Sequence, residues 1–217
     1  MATPAVSVVA EIMAALSYGE RLAQERAQQS VALAPDQARR GQQQHVADRE
    51  RKNVDLIEAR LKELGPEELE DLFRPFFDSF FDRTVPTDWV EAQTFHYVGD
   101  ALVADFAEYL IPALDPVSGE VIRRALGERD EQDAFALEEI TRALGEDPGV
   151  AERVAAYSRR IAGEALTQTR AALNATEVIA TLLDGDEGEK RMVLDLLERH
   201  RRRLDRLGIE RVDDPNE

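Results

Sequence analysis

Apolar residues recur every three or four positions along most of the chain, whereas the alternation typical of β-strands is scarce. Helix-favouring residues fill the long stretches, and Pro and Gly fall mainly between them. Short connections between long amphipathic helices favour an antiparallel bundle, and a single domain over residues 1–217 is the simplest account. The pattern thus predicts an all-α protein with helices over Val6–Ala32, Asp36–Leu64, Glu67–Asp82, Thr87–Leu110, Ser118–Leu144, Val150–Leu183 and Glu187–Leu207.

Residues 66–86 form a connecting element that is rich in phenylalanine. We interpret this element as a lid or plug that packs on the bundle, with a partner-binding helix as the alternative. At the other end of the chain, residues 208–217 are expected to form a flexible acidic tail. The phenylalanines of the connecting element are Phe73, Phe76, Phe77, Phe80 and Phe81.

The charge of the chain limits its partners. It has 44 acidic and 27 basic residues, a formal net charge of −17. Because phosphate binding depends on a basic surface, this excludes a protein that coats nucleic acid, and no DNA partner is expected. The absence of cysteine excludes disulfides and thiolate metal sites. Without a signal-peptide pattern or a window of roughly 20 apolar residues, we expect a cytoplasmic protein with no membrane contact.

Acidic residues interrupt several of the apolar stripes, and a buried carboxylate normally has a partner or a metal. Glu20 lies within the stripe of the first predicted helix, and Glu50 shares a face of the second with Asn53. Carboxylates converging from four helices would match the arrangement that holds two iron or manganese ions, which prefer such hard oxygen ligands. The other acids on inward faces are Asp100, Glu128, Glu131 and Glu164.

Four segments carry a resemblance to a known family. They are Tyr18-Gly19-Glu20, the run Arg83-Thr84-Val85-Pro86-Thr87-Asp88-Trp89, Tyr97-Val98-Gly99-Asp100 continuing into Ala104-Asp105-Phe106, and Arg159-Arg160-Ile161-Ala162-Gly163-Glu164-Ala165-Leu166. On these segments the chain resembles bacterial ferritin-like proteins related to the tRNA hydroxylase that acts on 2-methylthio-N6-isopentenyladenosine.

The resemblance implies a four-helix ferritin-like bundle with additional helices. It also implies a non-haem diiron site, or its dimanganese counterpart, and O2-dependent hydroxylation of a modified tRNA base. By resemblance, the metal ligands would be Glu20, Glu50, Asp100 and Glu128, and the walls of the substrate pocket would include Tyr97 and Phe106.

The chain departs from the family pattern where histidine ligands are expected. It has Asn53 after Glu50 and, three residues after Glu128, Glu131; a register shifted by one offers Gln132 instead. Imidazole is a strong ligand for iron and an amide oxygen a weak one. His96, one turn before Asp100, is a further candidate as a ligand or as a hydrogen-bond partner of that acid.

Two interpretations of the acidic centre therefore remain open. An imidazole-poor site can still take a hard cation such as Mn²⁺, Mg²⁺ or Ca²⁺. Alternatively, the centre is a vestigial cavity in which Glu50 and Glu128 pair with Arg49, Arg51 or Arg129, and no metal binds. The second interpretation makes the protein a non-catalytic ferritin-like scaffold that contacts protein partners.

The segment Glu198–Arg211 is locally basic, with six arginines against three acids. Its consecutive arginines Arg201, Arg202 and Arg203 are candidates for contact with tRNA phosphates. The alternative is a solvated helix face. The sequence does not indicate an oligomeric state.

Overall fold

The computed structural model describes residues 8–65, 67–127, 129–175 and 186–209, and these residues are almost entirely helical, with no strand among them. The predicted all-α class is therefore confirmed. The helices are α1 (Val8–Ser30), α2 (Gln37–Leu64), α3 (Arg74–Arg83), α4 (Trp89–Thr94), α5 (Asp100–Leu110), α6 (Pro116–Gly127), α7 (Asp130–Glu146), α8 (Val150–Ala175) and α9 (Asp186–Arg206).

Two predicted helices are interrupted. The helix predicted over 67–82 consists of a 3₁₀ segment, Glu67–Leu72, followed by α3, which has Pro75 in its first turn. Proline is tolerated at a helix start but not in a helix interior, so it fixes the break. The helix predicted over 118–144 is divided into α6 and α7. Of the helix predicted over 150–183, the part beyond 175 lies outside the described residues.

α4 and α5 are joined by a π-helical turn, Phe95–Gly99. In this turn the backbone N–H of Asp100 donates to the carbonyl of Phe95, five residues earlier. Such turns are rare and often lie beside functional sites. The turn carries His96 and leads directly into Asp100, so it positions two of the candidate site residues.

Four helical columns make up the bundle: α1, α2, α4 with its continuation α5, and the divided column α6–α7. α1 and α2 form the most extensive helix pair, α2 also packs on α6, and α4 packs on α7. α3, α8 and α9 are additional helices, of which α8 contacts α3 and the π-helical turn. This order agrees with a four-helix bundle that carries extra helices.

Two large apolar clusters and a small one, Ala27 with Val46 and Ala47, lie in the interior of the described residues. One large cluster lies between α1, α2, α5 and α6 and includes Met13, Ile57, Leu61 and Ile122. The other large cluster lies between α3, the π-helical turn, α7 and α8 and includes Phe95, Ile140 and Ile161.

The Phe-rich element packs against the bundle through part of its aromatic side chains. Phe73, Phe80 and Phe81 are buried. The end of α3 is held by Arg26, which donates to the carbonyls of Phe81 and Thr84 at 2.6 Å each and lies over the ring of Phe81. Each carbonyl also has a neutral donor, since the Thr84 N–H donates to Phe81 at 3.3 Å and the Tyr157 hydroxyl to Thr84 at 2.7 Å, and Arg26 adds a charged donor to both.

No helix in the described parts of the chain combines the length and the apolar character that crossing a bilayer requires.

Replacing Arg26 by methionine tests its role at the end of α3. We expect Arg26→Met to lower the free energy of unfolding by about 2–4 kcal/mol, because two buried carbonyls lose charged hydrogen-bond donors. The measurement is urea unfolding followed by circular dichroism. Arg83→Met is the matched control, since the Arg83 side chain is 62% exposed and its ion pair with Glu164 is long at 3.5 Å. Equal losses in the two variants would contradict this role.

Candidate functional site

Three acidic side chains meet at the bundle centre. Glu20 comes from α1, Glu50 from α2 and Asp100 from the start of α5, and each is between 4% and 6% exposed. The apolar residues that flank them on each stripe draw these positions inward. The structure therefore brings together three of the four carboxylates predicted as metal ligands. The fourth, Glu128, lies outside the described residues.

Burial and mutual repulsion change the protonation of these acids. Burial, together with the charges of Glu50 and Asp100, raises the pKa of Glu20 to about 8 against the opposing effect of Arg129. Burial also raises the pKa of Glu50, although Arg129 opposes the shift. Glu20 is consequently protonated at neutral pH, and the centre carries less negative charge than three carboxylates would give it.

Arg129 brings positive charge into this centre, and the charge of Arg49 also acts on Glu50. It precedes the first residue of α7, and its side chain is 13% exposed. Although burial alone would lower the pKa of Arg129, the nearby charges of Asp100, Asp133, Glu50 and Glu20 raise it. Its Nη2 lies 3.9 Å from Asp133 Oδ1, and both atoms are buried without a hydrogen-bond partner. A guanidinium thus lies among the acids that the sequence suggested as metal ligands.

His96 takes part in a buried hydrogen-bond network. Its Nδ1 lies 2.9 Å from Asp100 Oδ2, and its Nε2 lies 3.1 Å from Gln43 Nε2. The Gln43 carboxamide in turn accepts a hydrogen bond from Gln93 at 2.9 Å. Because an amide nitrogen only donates, His96 Nε2 accepts and Nδ1 donates to Asp100. Both ring nitrogens are engaged, so His96 orients Asp100.

Gln132, and not Glu131, faces the centre from α7. Gln132 is buried, donates to Asp100 Oδ2 at 3.1 Å and accepts from Arg49 at 2.9 Å. The Glu131 side chain is 66% exposed and lies 3.7 Å from Arg49. Of the two registers that the sequence allowed, the structure shows the one with Gln132 inside, and the predicted inward position of Glu131 is wrong. The α6–α7 break resets the stripe that the sequence expectation had extended.

The remaining candidate residues lie away from this cluster. Asn53 lines a polar cleft of about 670 Å³. The cleft lies between α2, the C-terminal end of α6 and the N-terminal end of α7. Glu164 contacts Arg83 at 3.5 Å and accepts from Gln168. Tyr97 is buried in the apolar cluster around Phe95, whereas Phe106 lines a separate apolar cavity.

The described residues do not fit a two-metal centre. No three histidine or acidic side chains in these parts of the chain are arranged to hold a metal ion. The positions expected to supply imidazole are occupied by Asn53 and Gln132, and Arg129 adds a fixed positive charge. A guanidinium among the acids repels a divalent cation and competes for the same carboxylates.

The consecutive arginines of α9 are paired within the chain. Arg201 and Arg202 donate to Glu198, and Arg203 donates to both oxygens of Asp105 at 2.7 and 3.0 Å. The contact of these arginines with tRNA stays a prediction. The tRNA phosphates would compete with Glu198 and Asp105 for the guanidinium groups.

Sequence reasoning missed Gln43 and Gln93. Gln43 lies seven residues before Glu50 on the same stripe of α2, so the periodicity that identified Glu50 also contains it. The sequence argument considered only acids and histidines, whereas these two neutral amides orient His96.

Comparisons with known proteins agree with this geometry at the level of the fold. The model of a family described as "Ferritin-like domain, actinomycetes" matches residues 5–186. No curated protein matches the chain.

The raised pKa of Glu20 makes the stability of the metal-free protein depend on pH. The folded state retains a proton on Glu20 up to a pH of about 8, whereas the unfolded chain releases it near 4.5. The free energy of unfolding therefore falls as the pH rises from about 4.5 to about 8. Glu20 contributes at most about 1.4 kcal/mol per pH unit to this fall. We expect Glu20→Gln to reduce this slope when urea unfolding is measured from pH 5 to 8 in the presence of a chelator.

The control for this measurement is Glu131→Gln, which removes one carboxylate from an exposed position. This variant should keep the slope of the parent protein. A slope unchanged in Glu20→Gln would show that Glu20 titrates normally in the folded state.

Proposed function

Because the chain belongs to the family of ferritin-like domains of actinomycetes, we propose that it is a non-catalytic ferritin-like protein that acts through its binding partners. The observation that carries this proposal is Arg129, which supplies positive charge among Glu20, Glu50 and Asp100. The ferritin-like architecture is kept, and the charge of its acidic centre is balanced from within the chain.

The charge at the centre supports this proposal. Metal ions bind carboxylates in their deprotonated form, and Glu20 holds its proton up to a pH of about 8. Asp100 is occupied by His96 and Gln132. Metal binding would therefore have to remove a proton, displace a guanidinium and break two hydrogen bonds.

The scarcity of histidine side chains near the acidic cluster also supports the non-catalytic proposal. His96 is the only histidine near the acidic cluster among the described residues, and both of its nitrogens already have partners. Two iron ions with open positions for O2 usually have one imidazole each, and Asn53 and Gln132 offer weaker ligands.

The second candidate function is O2-dependent hydroxylation, with a modified tRNA base as substrate. What favours it is an apolar cavity lined by residues of α1 and α5, the helices that also carry Glu20 and Asp100. A diiron or dimanganese pair would supply the oxidising chemistry of such an enzyme. The described ligands do not fit that pair, so this candidate ranks below the first.

Metal loading tests the proposal. The full chain, without a histidine tag, is loaded anaerobically with Fe²⁺ or Mn²⁺, desalted, and its bound metal measured by mass spectrometry. We expect well below one ion per chain, because Arg129 already neutralises the centre. About two ions per chain would overturn the proposal and favour the hydroxylase, whose activity would then be tested on modified tRNA.

The variant Arg129→Gln should bind metal ions more strongly than the parent protein does. Removing the guanidinium leaves buried acids without a counter-charge and should lower the free energy of unfolding by about 3–5 kcal/mol. Mn²⁺ should restore part of this loss in Arg129→Gln and have no effect on the parent protein, as measured by the melting temperature. Arg123→Gln is the control, since Arg123 is 57% exposed. If Mn²⁺ stabilised the parent protein as strongly as the variant, Arg129 would not be acting as the internal cation.

A further inference from the structure

The bundle contains an apolar cavity apart from the acidic centre. Its volume is about 110 Å³, and its walls come from α1, α3, α5, α8 and α9. Native interiors contain few voids larger than a water molecule, because an empty space loses the packing contacts of its lining. A cavity of this size is therefore a candidate site for a ligand.

The walls define the chemistry of that ligand. Almost all of the lining is aliphatic or aromatic, including Phe76, Phe77 and Phe106. The polar exceptions among the described residues are Gln168 and Thr169, both on α8. Gln168 already donates to Ser79 at 3.1 Å. Since none of the lining residues in the described parts of the chain is charged, a charged ligand would lose its hydration there without compensation.

The cavity is shaped by a close contact. The ring of Phe77 lies so near Gly19 that a Cβ atom at this glycine would come within 2.8 Å of Phe77 Cε1. The absence of a side chain at Gly19 thus allows the Phe77 ring, which lines the cavity, to approach α1 closely. Access from solvent lies beside Leu197, which lines the cavity and is 39% exposed.

From its size and lining, we infer that this cavity binds a small neutral aromatic molecule. A dry cavity of about 150 Å³ lined by Leu, Ile and Phe is known to bind benzene. The present cavity is smaller but has a similar lining, and its open side beside Leu197 leaves room for part of one substituted six-membered ring to extend toward solvent. The phenylalanine rings provide edge and face contacts for such a ring. The inference goes beyond the proposed function and does not depend on the charge of the bundle centre.

The test uses 4-fluorotoluene as the probe and the full chain as the receptor. Titration is followed by ¹⁹F NMR, and saturable binding with one site per chain is expected. Hexanoate, a charged linear chain, is the comparison ligand and should bind at least tenfold more weakly. Tighter binding of hexanoate than of 4-fluorotoluene would overturn the assigned ligand class.

Two variants locate the binding. Ala165→Met fills the cavity from α8, and Leu197→Lys places a charge at its opening on an exposed residue that folding tolerates. Each should weaken binding of the probe at least tenfold. The matched control is Ala156→Met, which makes the same change on the exposed face of α8. Circular dichroism verifies that every variant is folded.

The outcomes are distinct from those of the metal experiment. Arg129→Gln should bind 4-fluorotoluene within twofold of the parent affinity, because Arg129 is not part of the cavity lining. Absence of saturable binding by the parent protein would overturn the inference, whatever fills the space. Unchanged affinity in both Ala165→Met and Leu197→Lys would place the probe elsewhere and overturn it as well.

Discussion

The need to neutralise buried carboxylates governs the centre of this bundle. Glu20, Glu50 and Asp100 are brought inward by the apolar stripes of their helices, and charges so deeply buried are stable only when they are balanced. The chain balances them with the guanidinium of Arg129 and a proton on Glu20. The amides and the imidazole around Asp100 complete its hydrogen bonds. In the described parts of the chain, the partners of these acids thus come from neighbouring side chains.

The same helices separate this polar centre from an apolar cavity. On α1, Glu20 faces the acids while its neighbour Gly19 lies against Phe77. On α5, Asp100 begins the helix at the centre, and Phe106 reaches the cavity about two turns later. Charge and apolar space therefore occupy different levels of one bundle, which allows their roles to be examined independently.

The sequence was sufficient for the fold class and for the inward positions of Glu20, Glu50 and Asp100, because periodicity reports which side of a helix is buried. The sequence was insufficient for residues that follow a break in a helix, because the break changes which positions face the core. The extension of one stripe across the α6–α7 break placed Glu131 inside, although the structure has Gln132 there. Pro75 offered a usable signal for the start of α3 that the prediction did not apply. Arg129 was one of three arginines proposed as partners, and only packing distinguishes between them.

The break between α6 and α7 also affects the electrostatics of the bundle centre. A helix presents roughly half a positive charge at its N-terminus, from backbone N–H groups that lack partners within the helix. α7 begins directly after Arg129, and Gln132 in its first turn touches Asp100, so this positive pole lies beside the acids. An uninterrupted helix would use those N–H groups in its own hydrogen bonds. The backbone therefore provides a permanent share of the counter-charge, which no side-chain substitution at the centre removes.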